Sequence, residues 1–363
     1  MTLPNVAFTL LNYTSTAISY VSSATPPSNP CTDATCVPVF YPGLNGSECY
    51  RIPTIIKTHT GTLLAFSENR LNGCGDQGTH NLVVRRSADS GHTWGPLITV
   101  VVGETPCPGC PAAVSNPNPV EVTLGNGTRA LLLAFDTMNN PSAAHHGLDK
   151  TVWSFDDGLT WERATTLAYP PEVNSGSLIG PTVGLQADEG TIFFWITEGF
   201  LIFSRDGGAS WSASVQTAQR GECSIAWAVD SSNSTLVMNC RSGKDHRRGQ
   251  LYWRPSGTTY EASAPTYPDE LTDPGCQGSI LNVAGTLYTS NAASTTARER
   301  MTIHRSADGG ASWSDGQARP AYGAHPWACL TSALGGHIRR HNPPGAGNSH
   351  RAECVLAACR LGP

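Results

Sequence analysis

The chain has 363 residues, with 37 Gly, 26 Pro and only 14% charged residues, which argues against a helix-dominated fold and suits many short strands joined by tight turns. The formal net charge of −5 argues against a nucleic-acid surface. No apolar run approaches the ~18 residues of a membrane span, so no transmembrane segment is expected.

Residues 1–36 are polar and rich in Ser, Thr and Pro, and read as a loose leader. The first twenty carry no basic n-region and only a short apolar stretch, a poor match to a signal peptide. From Val37 the pattern changes to short runs of β-branched and aromatic residues. Val37–Phe40 reads as a strand. The segments Tyr50–Ile56, Thr62–Phe66 and Leu82–Arg86 form a first group, and Asn116–Val120, Ala130–Phe135 and Thr151–Trp153 a second. Pro181–Gly184, Thr191–Trp195 and Leu201–Phe203 form a third, Glu222–Val229, Thr235–Asn239 and Leu251–Trp253 a fourth. Ser279–Val283, Thr286–Tyr288 and Met301–His304 form a fifth. A sixth begins near Cys329–Thr331 and Gly335–Ile338, then fails, and residues 339–363 carry no strand alternation. No helical period extends beyond a turn or two.

Four of these groups end in the same octapeptide frame, S-x-D-x-G-x-[TS]-W, at Ser87–Trp94, Ser154–Trp161, Ser204–Trp211 and Ser306–Trp313. Ser and Asp side chains bond to nearby backbone and fold a tight turn, Gly supplies a positive φ, and the Trp is expected to pack back over the hairpin. Successive Ser positions are 67, 50 and 102 apart. The last gap is close to two units, so a degenerate copy is expected near Ser256-Gly257-Thr258-Thr259-Tyr260, which keeps the Gly and an aromatic but lacks the Asp. A unit of about 50 residues holding four strands is the size of a propeller blade. The expected architecture is an all-β, six-bladed propeller over 37–338 with an incomplete sixth blade, the strand near Val37 helping to close the ring.

Twelve Cys and the sequons at Asn12, Asn45, Asn126 and Asn233 favour an oxidising, secretory route, extracellular or lysosomal. Cys107 and Cys110 form a CxxC without a second pair or a His at finger spacing, so a local disulfide or structural thiols are expected there. The eleven His, His145-His146 included, show no HExxH-type spacing, and no metal site is read. Only three of 23 basic residues are Lys (Lys57, Lys150, Lys244), and Arg is the residue whose planar fork matches a carboxylate.

Arg51-Ile52-Pro53 followed by the four boxes resembles the sialidase (neuraminidase) family, six-bladed propellers of the exo-α-sialidase type, over roughly residues 37–331. The boxes alone are turn chemistry and do not report activity. The resemblance implies three arginines clamping the carboxylate of a sialic acid: Arg51; Arg241 in Asn239-Cys240-Arg241-Ser242, where the family reads N-x-R-[SN]; and Arg298, with Arg300 as the alternative. Several guanidiniums aimed at one point repel one another until an anion arrives. Arg70 in Ser67-Glu68-Asn69-Arg70 resembles a further substrate-contacting arginine. Asp76, in the Gly-rich stretch Asn72-Gly-Cys-Gly-Asp76-Gln-Gly, resembles the acid/base carboxylate, and a flexible loop suits a group that first protonates a leaving oxygen and then activates water. Glu222 in Arg220-Gly-Glu222-Cys-Ser resembles the glutamate that activates the nucleophile.

The family's nucleophile is a tyrosine, an exception to the two-carboxylate rule for glycosidases. The family reads Y-S-x-L-T at the start of the last blade, and here the segment is Pro326-Trp327-Ala328-Cys329-Leu330-Thr331. Trp327 stands where Tyr is expected, and an indole offers an N–H donor and no usable nucleophile. Tyr322 is the nearby phenol, within reach only if the loop is re-routed. The expected function is retaining hydrolysis of terminal sialic acids on glycoproteins, gangliosides or oligosaccharides, with no cofactor. The alternative is a catalytically impaired, lectin-like propeller that binds the same sugar.

Overall fold

Apolar runs too short for helices pair with their neighbours in sequence. The computed structural model describes residues 37–76, 78–103, 113–137, 149–173, 179–229, 234–314, 317–318 and 355–357. Strand β1 spans Val37–Phe40. Five antiparallel, four-stranded sheets follow it in chain order. Blade one is β2 (Cys49–Lys57), β3 (Leu63–Arg70), β4 (His80–Ser87) and β5 (Ile98–Val101). Blade two is β6 (Val114–Thr123), β7 (Arg129–Thr137), β8 (Lys150–Ser154) and β9 (Thr165–Thr166). Blade three is β10 (Leu185–Gln186), β11 (Ile192–Ile196), β12 (Phe200–Ser204) and β13 (Ser212–Ala213). Blade four is β14 (Cys223–Trp227), β15 (Leu236–Cys240), β16 (Gly249–Ser256) and β17 (Thr259–Ala262). Blade five is β18 (Ser279–Val283), β19 (Thr286–Ala292), β20 (Met301–Ser306) and β21 (Gln317–Ala318).

The core lies between sheets rather than within them. Leu64, Phe66 and Leu82 of blade one meet Leu131, Leu133 and Phe135 of blade two. Phe193, Trp195 and Leu201 of blade three meet Ile225, Met238 and Trp253 of blade four. First strands abut first strands, β2 with β6, β6 with β10 and β14 with β18, which puts the first strand of each blade innermost, as in a β-propeller.

The expectation of six blades is corrected to five among the described residues. Blades one, two, three and five each take their outermost strand from the residues after their own box, so the chain beyond Trp313 first completes blade five through β21. Among the described residues, strand β1 joins no antiparallel blade. It pairs in parallel with β22 (Val355–Ala357), which lies in the stretch read as an irregular tail. The opening strand of blade three also differs from its expected place. Pro181 has no N–H for a ladder, and Gly184 instead donates to the Pro119 carbonyl of blade two at 3.0 Å, so pairing starts only at Leu185. The expected leader 1–36, the CxxC at Cys107 and Cys110, and the sequons at Asn12 and Asn233 lie outside the described residues. Asn45 and Asn126 are exposed.

The boxes fold as their chemistry dictates. In the first, the Asp89 carboxylate accepts the Thr93 amide at 2.9 Å and hydroxyl at 2.6 Å, and the Ser87 hydroxyl donates to it at 2.8 Å. The Gly91 amide donates to Ser87 Oγ, and Gly91 has φ 93°. The same pattern recurs around Asp156, Asp206 and Asp308. In the second and fourth boxes the aromatic does not fold back over its own hairpin, as the sequence suggested, but reaches the preceding blade, whereas Trp211 packs on Phe194 of its own blade at 5.5 Å. Trp161 meets Phe66 edge-on at 5.8 Å, and Trp313 donates its Nε1–H to Gln250 Oε1 at 3.0 Å. Tyr260 takes this role in the degenerate copy, edge-on to Phe193 at 5.1 Å, with Gly257 at φ 60° in the turn.

The box donors pull the Asp89 carboxyl down to about 2, and Ser306 and Ser312 hold Asp308 below the usual aspartate range. A carboxyl depressed on folding contributes stability that is present above its unfolded value of about 4 and is lost as pH falls through its folded value. Thermal unfolding should therefore show a falling melting temperature between about pH 4 and pH 2. In an Asp89→Asn/Asp308→Asn variant that fall should be shallower, and an identical fall would contradict the assignment.

Candidate active site

In each blade the start of the first strand and the end of the second lie at one end of the sheet, and the box, after the third strand, lies at the other. Arg51 near the start of β2, Arg70 at the end of β3, Asp76 in the β3–β4 loop, Glu222 just before β14, Arg241 just after β15 and Arg298 between β19 and β20 therefore share the face opposite the boxes.

Arg51 is re-aimed by a bulge. The β2–β3 register shifts between Arg51 and Thr54, and Ile52 holds φ 53°. A β-branched residue in the left-handed region costs about 1–3 kcal/mol and persists where surrounding structure over-determines it. Pro53 has no N–H to lose from the ladder, and the Ser67 hydroxyl holds the Arg51 carbonyl at 2.8 Å. Blade two repeats the device: Asn116, before Pro117, holds φ 55°. Strained X-Pro pairs on adjacent inner strands thus mark one rim of the site.

The Arg51 side chain is nearly buried and its Nη1 donates to Asp76 Oδ1 at 2.6 Å and to the Cys74 carbonyl at 3.2 Å. Arg70, 2% exposed, reaches the same two acceptors through its own Nη1, at 2.8 and 2.6 Å. Its Nε and Nη2 donate to Glu68 Oε2 at 2.8 and 2.5 Å. Glu68 is 1% exposed and its other oxygen accepts the Asn116 amide of blade two at 3.0 Å. His80, fully buried, places Nε2 3.0 Å from the Gly75 carbonyl, and burial pushes its pKa down. Partial burial works to raise the Asp76 carboxyl, but Arg70 and Arg51 outweigh it and hold it below the usual range. Asp76 itself is 62% exposed, as a group that must meet a ligand should be.

Across the face, the Arg241 Nη1 donates to Glu222 Oε2 at 3.0 Å, and the Arg241 amide donates to the Glu222 carbonyl at 2.8 Å. Burial lowers the Arg241 pKa less than Glu222 raises it. Arg298 is half-buried, whereas Arg300 is exposed and donates its Nε–H to the Ala293 carbonyl of its own loop at 2.9 Å. Cys276, a buried free thiol, lies between the two groups. It packs with Tyr50 and Ile52 of blade one, and Arg298, Glu222 and Arg241 are its charged neighbours. Burial raises its thiol pKa, so it is no ready nucleophile. Beneath it, Arg248 is fully buried, donating to the Cys276 carbonyl at 2.8 Å and facing Asp273 at 3.3 Å. Tyr322 and Trp327 lie outside the described residues.

Glu68, His80 and the Arg248–Asp273 pair escaped the sequence reading. For Glu68 a signal existed: it stands two residues before Arg70 on a strand, hence on the same face. At the boundary of blades two and three Asp136 and Asp149 form a further buried carboxyl pair with the Tyr169 hydroxyl donating to Asp149. Burial pushes Asp149 up to about 8 and Asp136 well above the ordinary range.

Residues 61–317, more than half of the chain, match the BNR repeat-like domain, and the chain belongs to that family. It is 27% identical to a sialidase of Bacteroides fragilis over 77% of this chain and 56% of that protein. It is 28% identical to an exo-alpha-sialidase of Arthroderma benhamiae over 72% of this chain and 68% of that one. Among solved structures, the Hadza microbial sialidase Hz136 is 25% identical with a TM-score of 0.68, covering 82% of this chain and 63% of that one. The intramolecular trans-sialidase of Ruminococcus gnavus, 15% identical with a TM-score of 0.59 over 79% and 88%, shares the fold. The chain spans about half the length of the first curated relatives it matches.

Proposed function

We propose that the chain is a retaining exo-α-sialidase acting on terminal sialic acids of glycoproteins, glycolipids or oligosaccharides. The observation that carries this reading is the Arg51 guanidinium, aimed by a strained bulge and already holding a carboxylate, that of Asp76. Arg241 and Arg298 complete the clamp from the opposite side of the face, and Arg70 extends it. Arg298 is favoured over Arg300, which turns back on its own loop.

A sugar carboxylate entering this clamp competes with Asp76 for Arg51. Released from that guanidinium, the Asp76 carboxyl is easier to protonate and can hand a proton to the leaving glycosidic oxygen; deprotonated again, it activates water. Glu222 polarises the nucleophile. A tyrosine is the group the chemistry asks for, because a carboxylate nucleophile would be repelled by the substrate's own charge. The disulfides Cys49–Cys74 and Cys223–Cys240 are consistent with an oxidising compartment, and we place the protein outside the cell or in the lysosome.

A second reading is favoured by one residue, Trp327 at the tyrosine's expected place: a propeller that binds sialic acid without turnover. Fluorogenic sialoside hydrolysis measured in parallel with sialic acid binding separates the two. Both signals are expected from the hydrolase. Binding alone leaves the lectin-like reading, and neither signal sinks both.

A further inference from the structure

Two charged pairs form the candidate site, and a disulfide brackets each. Cys49 lies two residues before Arg51 and Cys74 two residues before Asp76, and these cysteines are bonded with Cα atoms 5.4 Å apart. Cys223 follows Glu222 and Cys240 precedes Arg241, bonded across the β14–β15 ladder. The second bond joins strands that hydrogen bonds already zip together. The first joins an inner strand to a Gly-rich loop, and both of its cysteines belong to blade one, so it knits no blade to another.

Its geometric consequence lies at one carbonyl. The Cys74 oxygen accepts from Arg51 Nη1 and Arg70 Nη1, the same two atoms that hold Asp76 Oδ1. Carbonyl and carboxylate are thus gripped together, and what fixes Cys74 fixes Asp76. The loop between Leu71 and Thr79 is closed at its base by the Leu71 amide to the Thr79 carbonyl at 2.9 Å, and His80 steadies Gly75. Gly73, at φ 90°, and Gly75 flank Cys74, and glycine places the fewest side-chain constraints on the backbone either side of it. The Asp76 side chain is exposed, and the two guanidiniums are what hold it.

We propose that the Cys49–Cys74 disulfide is the positioning element for Asp76: it seats the Cys74 carbonyl between the Arg51 and Arg70 guanidiniums, and its reduction uncouples acid/base chemistry from sugar binding. This rests on the reading of Asp76 as the acid/base. A dithiol such as dithiothreitol would attack at half-buried Cys74, two electrons and two protons passing to the cysteine sulfurs while the reagent closes to its own cyclic disulfide.

The test is a Cys49→Ser/Cys74→Ser variant compared with the intact protein, first by NMR titration of the Asp76 carboxyl. Asp76 is expected to titrate below the usual range in the intact protein and to climb into it in the variant, while Asp89, on the opposite face, keeps its value as proof of folding. An unmoved Asp76 overturns the proposal whether or not the protein is an enzyme. Turnover then supplies a split that a merely structural bond would not give. Hydrolysis of sialyllactose, whose leaving group needs a proton, should fall roughly 10-fold or more, while a nitrophenyl sialoside changes by less than about threefold. Equal losses on both substrates also overturn it. An Asp76 shift in a protein that hydrolyses neither substrate upholds the positioning role and removes the hydrolase reading. If the variant does not fold, dithiothreitol treatment of the native protein, with Cys49–Cys74 verified as reduced and Cys223–Cys240 as intact by alkylation, gives the same comparison.

Discussion

Glu68→Ala is expected to destabilise the propeller by about 3 kcal/mol, because it leaves two nitrogens of a buried guanidinium without their acceptor, with only the exposed Asp76 carboxylate to offset the charge. Arg70 and Glu68 are 2% and 1% exposed, and Glu68 is the acceptor for two of the three Arg70 nitrogens. Glu68 also accepts the Asn116 amide, so its loss opens the seam between blades one and two at the strained Asn116 position. Denaturant unfolding at unchanged slope would measure the loss as a shift in midpoint. Removing both partners in Glu68→Leu/Arg70→Met should cost less than removing one, since no orphaned charge remains. A Glu68→Ala cost below about 1 kcal/mol would mean that the pair is not desolvated as described.

The second large effect is on binding. Arg51→Ala should weaken sialic acid binding by about 100-fold, the equivalent of two charge-assisted hydrogen bonds at about 1.5 kcal/mol each. Calorimetric titration reads this directly. Arg300→Ala, whose side chain bonds its own loop, should stay within about twofold of the parent. Equal affinity in Arg51→Ala and the parent would show that the carboxylate seat lies elsewhere.

Local chemistry was legible in the chain, and relations between distant residues were not. Each box is a closed set of Ser, Asp, Gly and Thr or Ser contacts, each between residues no more than four apart, so its turn could be read from the local sequence alone. The direction of its Trp could not, because its partners lie outside the box, as with Trp161 against Phe66 of the preceding blade, nearly a hundred residues earlier. Counting boxes, the degenerate copy included, gave five blades; the sixth was read from Cys329–Thr331 and Gly335–Ile338, which lie outside the described residues, while the residues just after the last box complete blade five. Arg51 stood out through the Pro that follows it, yet nothing in R-I-P announces that Ile52 must adopt a left-handed conformation to aim the guanidinium. Asp76 was visible as an acid in a Gly-rich loop. That it is held by Arg51 and Arg70, and that Cys74 pairs with Cys49 among twelve cysteines, depends on contacts across the β2–β3 hairpin that no spacing rule encodes.

A crystal structure of the protein with 2-deoxy-2,3-dehydro-sialic acid tests the central claim most directly. The account expects the ligand carboxylate within hydrogen-bond distance of Arg51, Arg241 and Arg298, with Asp76 displaced from Arg51. A ligand carboxylate bound away from Arg51, with the Arg51–Asp76 contact intact, would contradict it.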